Sequence, residues 1–308
     1  MTLPSYPYGY GAGLLLILSI GFPTTCRTKI KLQPCAFFIY YPHLGAEMRT
    51  IIEFVMIISE SSNWVIKDSA FRQALHDEFG ATFNTEDIKG IRCDGMDISS
   101  LSGIEYFENL EWLSCSHNSL TTLDISQNLK LINLDCGENR LSELNVRNNR
   151  ALRYLYCYNN DLNNLDISNN PELEVLECYD NAHLQIGSIY GVMIRRNPYG
   201  TGIRVLDTTN NPKLKVLKCS SNEITSLNLS KNYQLLHLDC DDNRIEILDV
   251  STTQLNHYIP KTIVYSDYPL QCKMASLKTL YLKKDWRLKG INDASPVCIA
   301  SNTQILYK

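Results

Sequence analysis

The central part of the chain repeats one pattern of apolar and polar positions. The phrase L-x-x-L-x-C-x-x-N occurs six times, at 110–118, 131–139, 152–160, 173–181, 214–222 and 235–243. Through the first four copies its cysteines are 21 residues apart, and a weaker copy precedes them around Cys93. A second phrase, L-x-x-L-[DN]-[ILV], lies between the copies, as at 120–125. Repetition at a short fixed period predicts a solenoid in which each coil is one repeat.

Alternation within the first phrase predicts a short strand. Leu134 and Cys136 fall on one side of such a strand, and Asn133 and Asp135 fall on the other. With about nine residues in strand and turn, about twelve remain for the return, too few for a three-turn helix with two connections. We therefore predict a gently curved, mostly parallel β solenoid whose return segments are extended or 3₁₀.

The aligned cysteines and asparagines are expected to be structural. Parallel strands lie about 4.8 Å apart with parallel Cβ vectors, whereas a disulfide needs Cβ atoms about 3.8 Å apart and turned toward each other. No C-x-x-C or paired Cys/His spacing typical of zinc occurs, so we predict buried thiols without metal or cofactor. The asparagine three residues after each cysteine is predicted to bond unpaired backbone groups of the turn. Four cysteines fall outside the pattern, namely Cys26, Cys35, Cys272 and Cys298.

These phrases resemble the cysteine-ladder leucine-rich repeats of bacterial surface proteins, including internalin-type adhesins. The resemblance covers roughly residues 65 to 308, and the repeat with its flanks predicts an α/β leucine-rich-repeat solenoid with an N-terminal helical cap. The resemblance implies a secreted or surface-exposed binding scaffold without catalytic machinery, and it does not identify the ligand.

The flanks of the repeat suggest a domain organisation. Asp68 or Ser69 can cap a helix whose Phe71, Leu75 and Phe79 form one apolar stripe. The segment after this helix lacks alternating carboxylates, so we predict no EF-hand-like calcium loop there. The predicted parts are a leader or unstructured segment (1–61), a helical cap (62–87), the solenoid (88–285) and a C-terminal cap (286–308).

The period breaks twice, near 183–204 and near 252–275. The first excess contains two apolar runs around Asn197-Pro-Tyr-Gly and is predicted to be a hairpin. Each excess is close to one period, so eroded coils are an alternative. After the second break, L-K-T-L-Y-L predicts a last coil with Leu282 in the cysteine position.

The first residues and the charge bear on location and partners. Ala12 to Phe22 has the length of a signal-peptide apolar region, but no Lys or Arg precedes it, and it is too short to span a membrane. Met48 is an alternative start of translation. We expect an extracellular or cell-surface protein, with a cytoplasmic location as the alternative. A net charge of −4 without a basic stripe argues against a nucleic-acid partner, and we expect a monomer.

Function is expected on the outward positions of the strands, where aromatic residues cluster on the middle coils. The predicted ligand-binding residues are Trp112, Asn133, Asp135, Tyr154, Tyr156, Tyr158, Glu177 and Tyr179. Rigid amphipathic rings of this kind bind proteins and glycans. Alternatively, the tyrosines only stabilise cross-strand neighbours in a structural surface protein without a specific ligand.

Two further possibilities are weaker. His237, Asp239, Asp241 and Asp242 collect on one coil next to Lys218 and could hold a cation, although a solvated acidic face is the expected interpretation. An enzyme would need a deep pocket, and the Ile186 to Arg204 insertion is where one would form if it folded over the sheet. We therefore predict no catalytic residues and no metal site.

Overall fold

The computed structural model describes residues 66–80, 83–182, 202–255, 270–284 and 302–308. The predicted leader and the hairpin around Asn197 lie outside the described residues. Most described strands are three residues long and are separated by about one repeat. They are β1 (Gly90–Arg92), β2 (Trp112–Ser114), β3 (Asn133–Asp135), β4 (Tyr154–Tyr156), β5 (Val175–Glu177), β6 (Val216–Lys218), β7 (His237–Asp239), β8 (Ile247–Asp249), β9 (Leu270–Gln271), β10 (Thr279–Leu282) and β11 (Gln304–Tyr307).

The strands form two parallel sheets that confirm the predicted solenoid. One sheet has the order β1-β2-β3-β4-β5-β6-β7-β9 and carries the cysteine phrase. The other has the order β11-β10-β8 and belongs to the return side. Leu134 pairs with Leu113 on one neighbouring strand and with Leu155 on the other, so equivalent residues of successive coils stack directly. The return segment of the first coil contains a 3₁₀ helix, Ile104–Tyr106, and the other described return segments contain no α-helix, in agreement with the prediction.

The core consists of the leucines and cysteines that alternation placed inward. Leu134 and Cys136 have no exposed surface, and the same holds for their equivalents on most coils. All eight cysteines of the described residues are buried free thiols. The thiol of Cys115 lies 3.4 Å from the carbonyl oxygen of Asp135, to which it can donate a hydrogen bond. Burial raises the pKa of the Cys178 thiol to about 12, so these side chains pack as small neutral groups.

Buried asparagines bond the coils together on both sides of the solenoid. The Asn160 amide donates to the carbonyl oxygens of Cys136 and Tyr158, and its Oδ1 accepts from the Leu141 N–H at 3.0 Å. This confirms the predicted ladder. On the return side, the Asn170 amide donates to two carbonyl oxygens of the preceding coil, those of Val146 and Asn149. This second asparagine ladder was not predicted.

One residue in each turn adopts a left-handed backbone conformation. It lies two positions after the cysteine, and in the regular coils its φ is between 51° and 55°. These residues are His117, Glu138, Asn159, Asp180, Ser221 and Asp242. Four of the six are His, Asn or Asp, the types that tolerate positive φ best after glycine. The turn therefore redirects the chain without needing a glycine in each coil.

The first period break is an insertion. β5 and β6 are directly paired, with Val175 opposite Val216, so no additional coil lies between them. The Ile203 N–H donates to Asn222, just as the Leu162 N–H donates to Asn181. Ile203 therefore occupies the position that, in a regular coil, lies two residues after the ladder asparagine. The excess residues therefore leave the coil after Ala182.

The second break corrects two sequence predictions. Cys272 is fully buried, and its strand β9 pairs with β7, with Gln271 opposite Asp239. Cys272 is therefore the eighth member of the ladder, and the prediction that it lies outside the ladder is wrong. Leu280 pairs with Leu248 of β8 on the return side, so the prediction that Leu282 occupies the cysteine position is also wrong. Strand β11, within the predicted C-terminal cap, extends the same return sheet.

The helix α1 (Ser69–Phe79) covers the first coil, as predicted. Asp68 is its N-cap and accepts from the N–H groups of Ala70 and Phe71. Phe71 and Leu75 are buried in the same core as the solenoid leucines, with Phe79 packed at its margin. An amphipathic helix with this stripe shields the apolar end that the first coil would otherwise expose.

Candidate functional site

The strand face is divided into columns of residues that share one position in the repeat. Parallel register places Trp112, Asn133 and Tyr154 in one column. It places Asp135, Tyr156 and Glu177 in a second. Tyr158 and Tyr179, two residues further along each chain segment, begin a third. All eight predicted site residues therefore lie on one face across four consecutive coils.

Trp112 and Tyr158 lie over glycines of the preceding coil. A Cβ atom added to Gly90 would lie 1.7 Å from Cε2 of Trp112, and one added to Gly137 would lie 2.5 Å from Cζ of Tyr158. The two rings therefore occupy the space that a side chain at position 90 or 137 would need, so only glycine fits at these positions. Sequence reasoning missed both glycines, although each stands one repeat before its ring.

Tyr158 and Tyr179 form a stack along the solenoid. Their ring centroids are 4.9 Å apart and the planes differ by 7°, so the spacing matches the distance between neighbouring strands. Both residues are half-buried. Burial and the neighbouring Asp135 raise the pKa of the Tyr158 phenol, which therefore keeps its proton at neutral pH.

Arg153 makes a cation–π contact with Tyr154, its neighbour in the same coil. The guanidinium carbon of Arg153 lies 5.4 Å from the Tyr154 ring centroid. Nε of Arg153 donates to Glu174 at 2.8 Å, and Lys215 donates to the other oxygen of the same carboxylate at 2.8 Å. This network fixes one edge of the strand face.

Asp135 is a half-buried carboxylate beside the tyrosines. It lies opposite Tyr156 in the sheet, and its Oδ1 accepts from the Gly137 N–H at 3.1 Å. Burial raises the pKa of the Asp135 carboxyl, and nearby Asp94 and Glu177 add to this rise, whereas the Gly137 N–H and the neighbouring His117 oppose it. Among the described residues no basic side chain forms an ion pair with Asp135.

Glu177 is paired with Lys218 on the next coil. The Lys218 ammonium lies 2.8 Å from the carboxylate, and the two side chains are only 8% and 13% exposed. Lys218 is a neighbour of the acidic coil, as predicted, because it lies opposite Asp239 in the sheet, and its ammonium forms the ion pair with Glu177 on the other side. A pair this buried is costly to break, because either partner alone would be an uncompensated charge.

The acidic coil differs from the solvated face that was expected. His237 is only 4% exposed, and burial together with Lys218 lowers its pKa to about 4. Burial raises the pKa of Asp241 to about 7, although the Lys273 N–H donates to its carboxylate at 2.5 Å. In the described ranges no group of three or more His, Cys, Asp or Glu side chains is placed to hold a metal ion.

One further property concerns membranes. No helix in the part of the chain that the structure describes is long and apolar enough to cross a bilayer.

The repeated parallel strands, buried cysteines and asparagine ladders define the class of fold, a leucine-rich-repeat solenoid. No protein-family model and no curated protein matches the chain. Solved structures do. Internalin C2 of Listeria monocytogenes is 19% identical, with a TM-score of 0.50, over 78% of this chain and 93% of that one. The predicted resemblance to internalin-type repeats is thus confirmed at the level of the fold.

Two other similar structures overlap less. The functional domain of InlJ from Listeria monocytogenes, which includes a cysteine ladder, is 26% identical over 70% of this chain, with a TM-score of 0.37. The match spans 55% of the InlJ chain's length. The ectodomain of the Arabidopsis thaliana receptor kinase GASSHO1/SCHENGEN3 is 18% identical, with 65% of this chain and 22% of that one covered and a TM-score of 0.44.

Proposed function

We propose that the chain is a non-catalytic interaction module that binds a protein or glycan through the aromatic residues of its strand face. The observation that carries this proposal is the pairing of Trp112 with Gly90 and of Tyr158 with Gly137. Tyr158 stacks on Tyr179 of the following coil, but toward the preceding coil both rings face a position without a side chain, where a ring that only stabilised the sheet would gain more from a side-chain contact. A ring above a glycine instead presents a flat, rigid surface, which is typical of binding hot spots.

The arrangement of the carboxylates favours binding over catalysis. Asp135 and Glu177 share a column, with Tyr156 between them. Two strand spacings place them about 10 Å apart on an open sheet. Acid–base chemistry needs paired groups in a site that excludes water, and these two carboxylates do not form one.

We further propose that the module acts as a monomer outside the cell. The fold similarity to internalins supports this location. Detection of the chain in the culture medium or by surface labelling of intact cells would agree with it. Recovery only from the cytoplasm of the native host would contradict it.

The binding proposal is tested with the full chain as bait and the proteins and glycans of its surroundings as prey. A matched bait carries Tyr154→Ala, Tyr156→Ala and Tyr158→Ala, with an unchanged urea-unfolding midpoint as the check on folding. A control bait carries Tyr233→Ala, because Tyr233 is 51% exposed on the return side. We expect a partner retained by the wild type and the control and lost by the triple variant. Equal retention by all three would contradict the proposal.

A further inference from the structure

The strand face carries more carboxylates than it can neutralise. From β1 to β6, the outward strand positions and the turns that follow them contain Asp94, Asp135, Glu138, Glu177 and Asp180, and their basic side chains are Arg92 and Lys218. Both basic groups lie near carboxylates of the same face, Lys218 at 2.8 Å from Glu177 and Arg92 at 3.9 Å from Asp94. His117 lies 2.8 Å from Glu138. Asp135 keeps a carboxylate oxygen with no basic partner among the described residues.

A carboxylate beside a tyrosine also occurs on the return side, where a lysine contacts both. On the return side, Asp249 pairs with Tyr281 across parallel strands. The Lys308 ammonium lies between them, 2.6 Å from the Asp249 carboxylate and 3.8 Å from the Tyr281 ring centroid. The combination of an ion pair and a cation–π contact stabilises a cation more than either interaction does alone.

A second example lies at the edge of the strand face itself. Arg153 lies over the ring of Tyr154 and bonds the Glu174 carboxylate. In both examples, therefore, a tyrosine ring and a carboxylate hold one basic side chain between them.

Asp135 and Tyr156 repeat this arrangement without the cation. They are opposite each other across parallel strands, as Asp249 and Tyr281 are, and the Tyr158 ring lies over Gly137 beside them. The carboxylate is half-buried next to Asp94 and Glu177, so a cation that docks there relieves repulsion as well as forming new contacts.

We infer that the partner presents a cationic protein segment, whose arginine or lysine side chains dock on Asp135, Tyr156 and Tyr158. This inference rests on the proposed function and narrows it from protein or glycan to a basic stretch of protein. Guanidinium groups fit best, because they stack on aromatic rings and bond carboxylates in the same plane.

The test uses a short arginine-rich peptide with glycine and serine spacers, and matched peptides in which every arginine is glutamine or glutamate. Binding to the full chain is measured at low and high salt. The variant Asp135→Asn removes the charge and keeps the shape. Its matched control is Asp207→Asn on the return side, where two other coils carry Asn145 and Asn228 at the same position.

We expect the arginine peptide to bind and the glutamine and glutamate peptides to bind far more weakly. Asp135→Asn should weaken binding about fivefold and reduce its salt dependence, as loss of one exposed ion pair does. Asp207→Asn should leave the affinity within about twofold, the effect of a distant charge. A second variant, Tyr158→Leu, should weaken binding by a similar factor through loss of the cation–π contact.

Three results would overturn the inference. They are no binding of the arginine peptide, equal binding of the glutamine peptide, or equal effects of Asp135→Asn and Asp207→Asn. Failure of this inference is distinguishable from failure of the proposed function. If a captured partner is lost by the triple tyrosine variant and kept by Asp135→Asn, the strand face binds but does not recognise a cation. If the triple tyrosine variant retains the partner, the proposed function itself fails.

Discussion

At the scale of single residues, Thr208 shows how the return-side ladder can be completed. Its hydroxyl donates to Oδ1 of Asn232 at 2.9 Å and lies 3.1 Å from the Asn228 carbonyl oxygen. Other coils carry Ile, Val or Leu at this position. Four equivalent asparagine oxygens there have no hydrogen-bond partner among the described residues, namely those of Asn128, Asn149, Asn170 and Asn211.

Replacing Thr208 by Val should reduce the free energy of unfolding by about 1–3 kcal/mol, because the buried Asn232 oxygen loses its donor. The reciprocal change, Val146→Thr, places a hydroxyl beside the unpaired oxygen of Asn170. It should stay within about 1 kcal/mol of the wild type, since the new hydrogen bond offsets the burial of the hydroxyl. Urea unfolding measures both. A larger loss for Val146→Thr than for Thr208→Val would contradict this account.

His237 makes stability depend on pH. Its pKa is about 4 in the folded chain and 6.5 ordinarily, so the unfolded state binds the proton first as the pH falls. His237 should therefore contribute a loss of stability between about pH 6.5 and pH 4. We expect His237→Gln to lose less stability than the wild type between pH 7 and pH 5 in urea titrations. An identical loss in both proteins would exclude the proposed role of His237.

At the scale of elements, Asp68 joins the helix to the first coil. One carboxylate oxygen caps α1, and the other accepts from the N–H groups of Ser99 and Ser100 and from the Ser99 hydroxyl. Burial raises the pKa of Asp68, but these hydrogen bonds outweigh it and hold the pKa below its ordinary value.

Asp68→Ala should cost about 1–3 kcal/mol, more than loss of a helix cap alone, because it also frees α1 from the first coil. The exposed Asp77→Ala on the same helix is the control and should change stability by less than about 0.5 kcal/mol. Amide hydrogen exchange should show α1 opening while the middle coils stay protected. Equal effects of the two variants would mean that Asp68 does not join these elements.

The sequence predicts elements well where two independent signals agree. For α1, the cap residue and the apolar stripe gave the helix correctly. For Cys272, the cysteine phrase lacks its first leucine, since Asp267 stands five residues earlier, and the spacing from Cys240 is 32 residues. The segment from Leu277 to Leu282 has the apolar spacing shared by strand and return phrases. That pattern alone cannot separate the two sides of a coil, so Leu282 was assigned to the wrong one.

At the scale of the whole molecule, the solenoid accommodates an insertion without losing its period. A Cβ on Gly202 would lie 2.7 Å from the Cβ of Ala182, so the two ends of the insertion meet. Joining Ala182 directly to Ile203 reproduces the Asp161-Leu162 step of a regular coil.

Deletion of 183–202 should therefore leave a folded chain with one cooperative transition. We expect the strand pairing of β5 and β6 to persist, because its residues all lie outside the deleted segment. Circular dichroism and thermal unfolding measure this. A broad transition or loss of the β signal would show that the coil depends on the insertion for closure.

The sequence predicts the common face of the candidate site but not the contacts between its coils. Alternation around each cysteine placed Trp112, Tyr156 and Glu177 on one face, because the period of a strand is fixed. The roles of Gly90 and Gly137 required the exact register between coils. The pairing of Glu177 with Lys218 also could not be predicted without this register, because an insertion separates the two residues by 41 positions along the chain.

The most direct test of the central claim is oxidative footprinting of the tyrosines and tryptophans, with and without the partner that the wild-type chain captures. We predict protection of Trp112, Tyr154, Tyr156, Tyr158 and Tyr179. Tyr233 and Tyr307 are exposed on the return side and should be oxidised equally in both samples. Protection of those two residues, with the strand-face rings unchanged, would place binding on the opposite side of the solenoid and contradict the account.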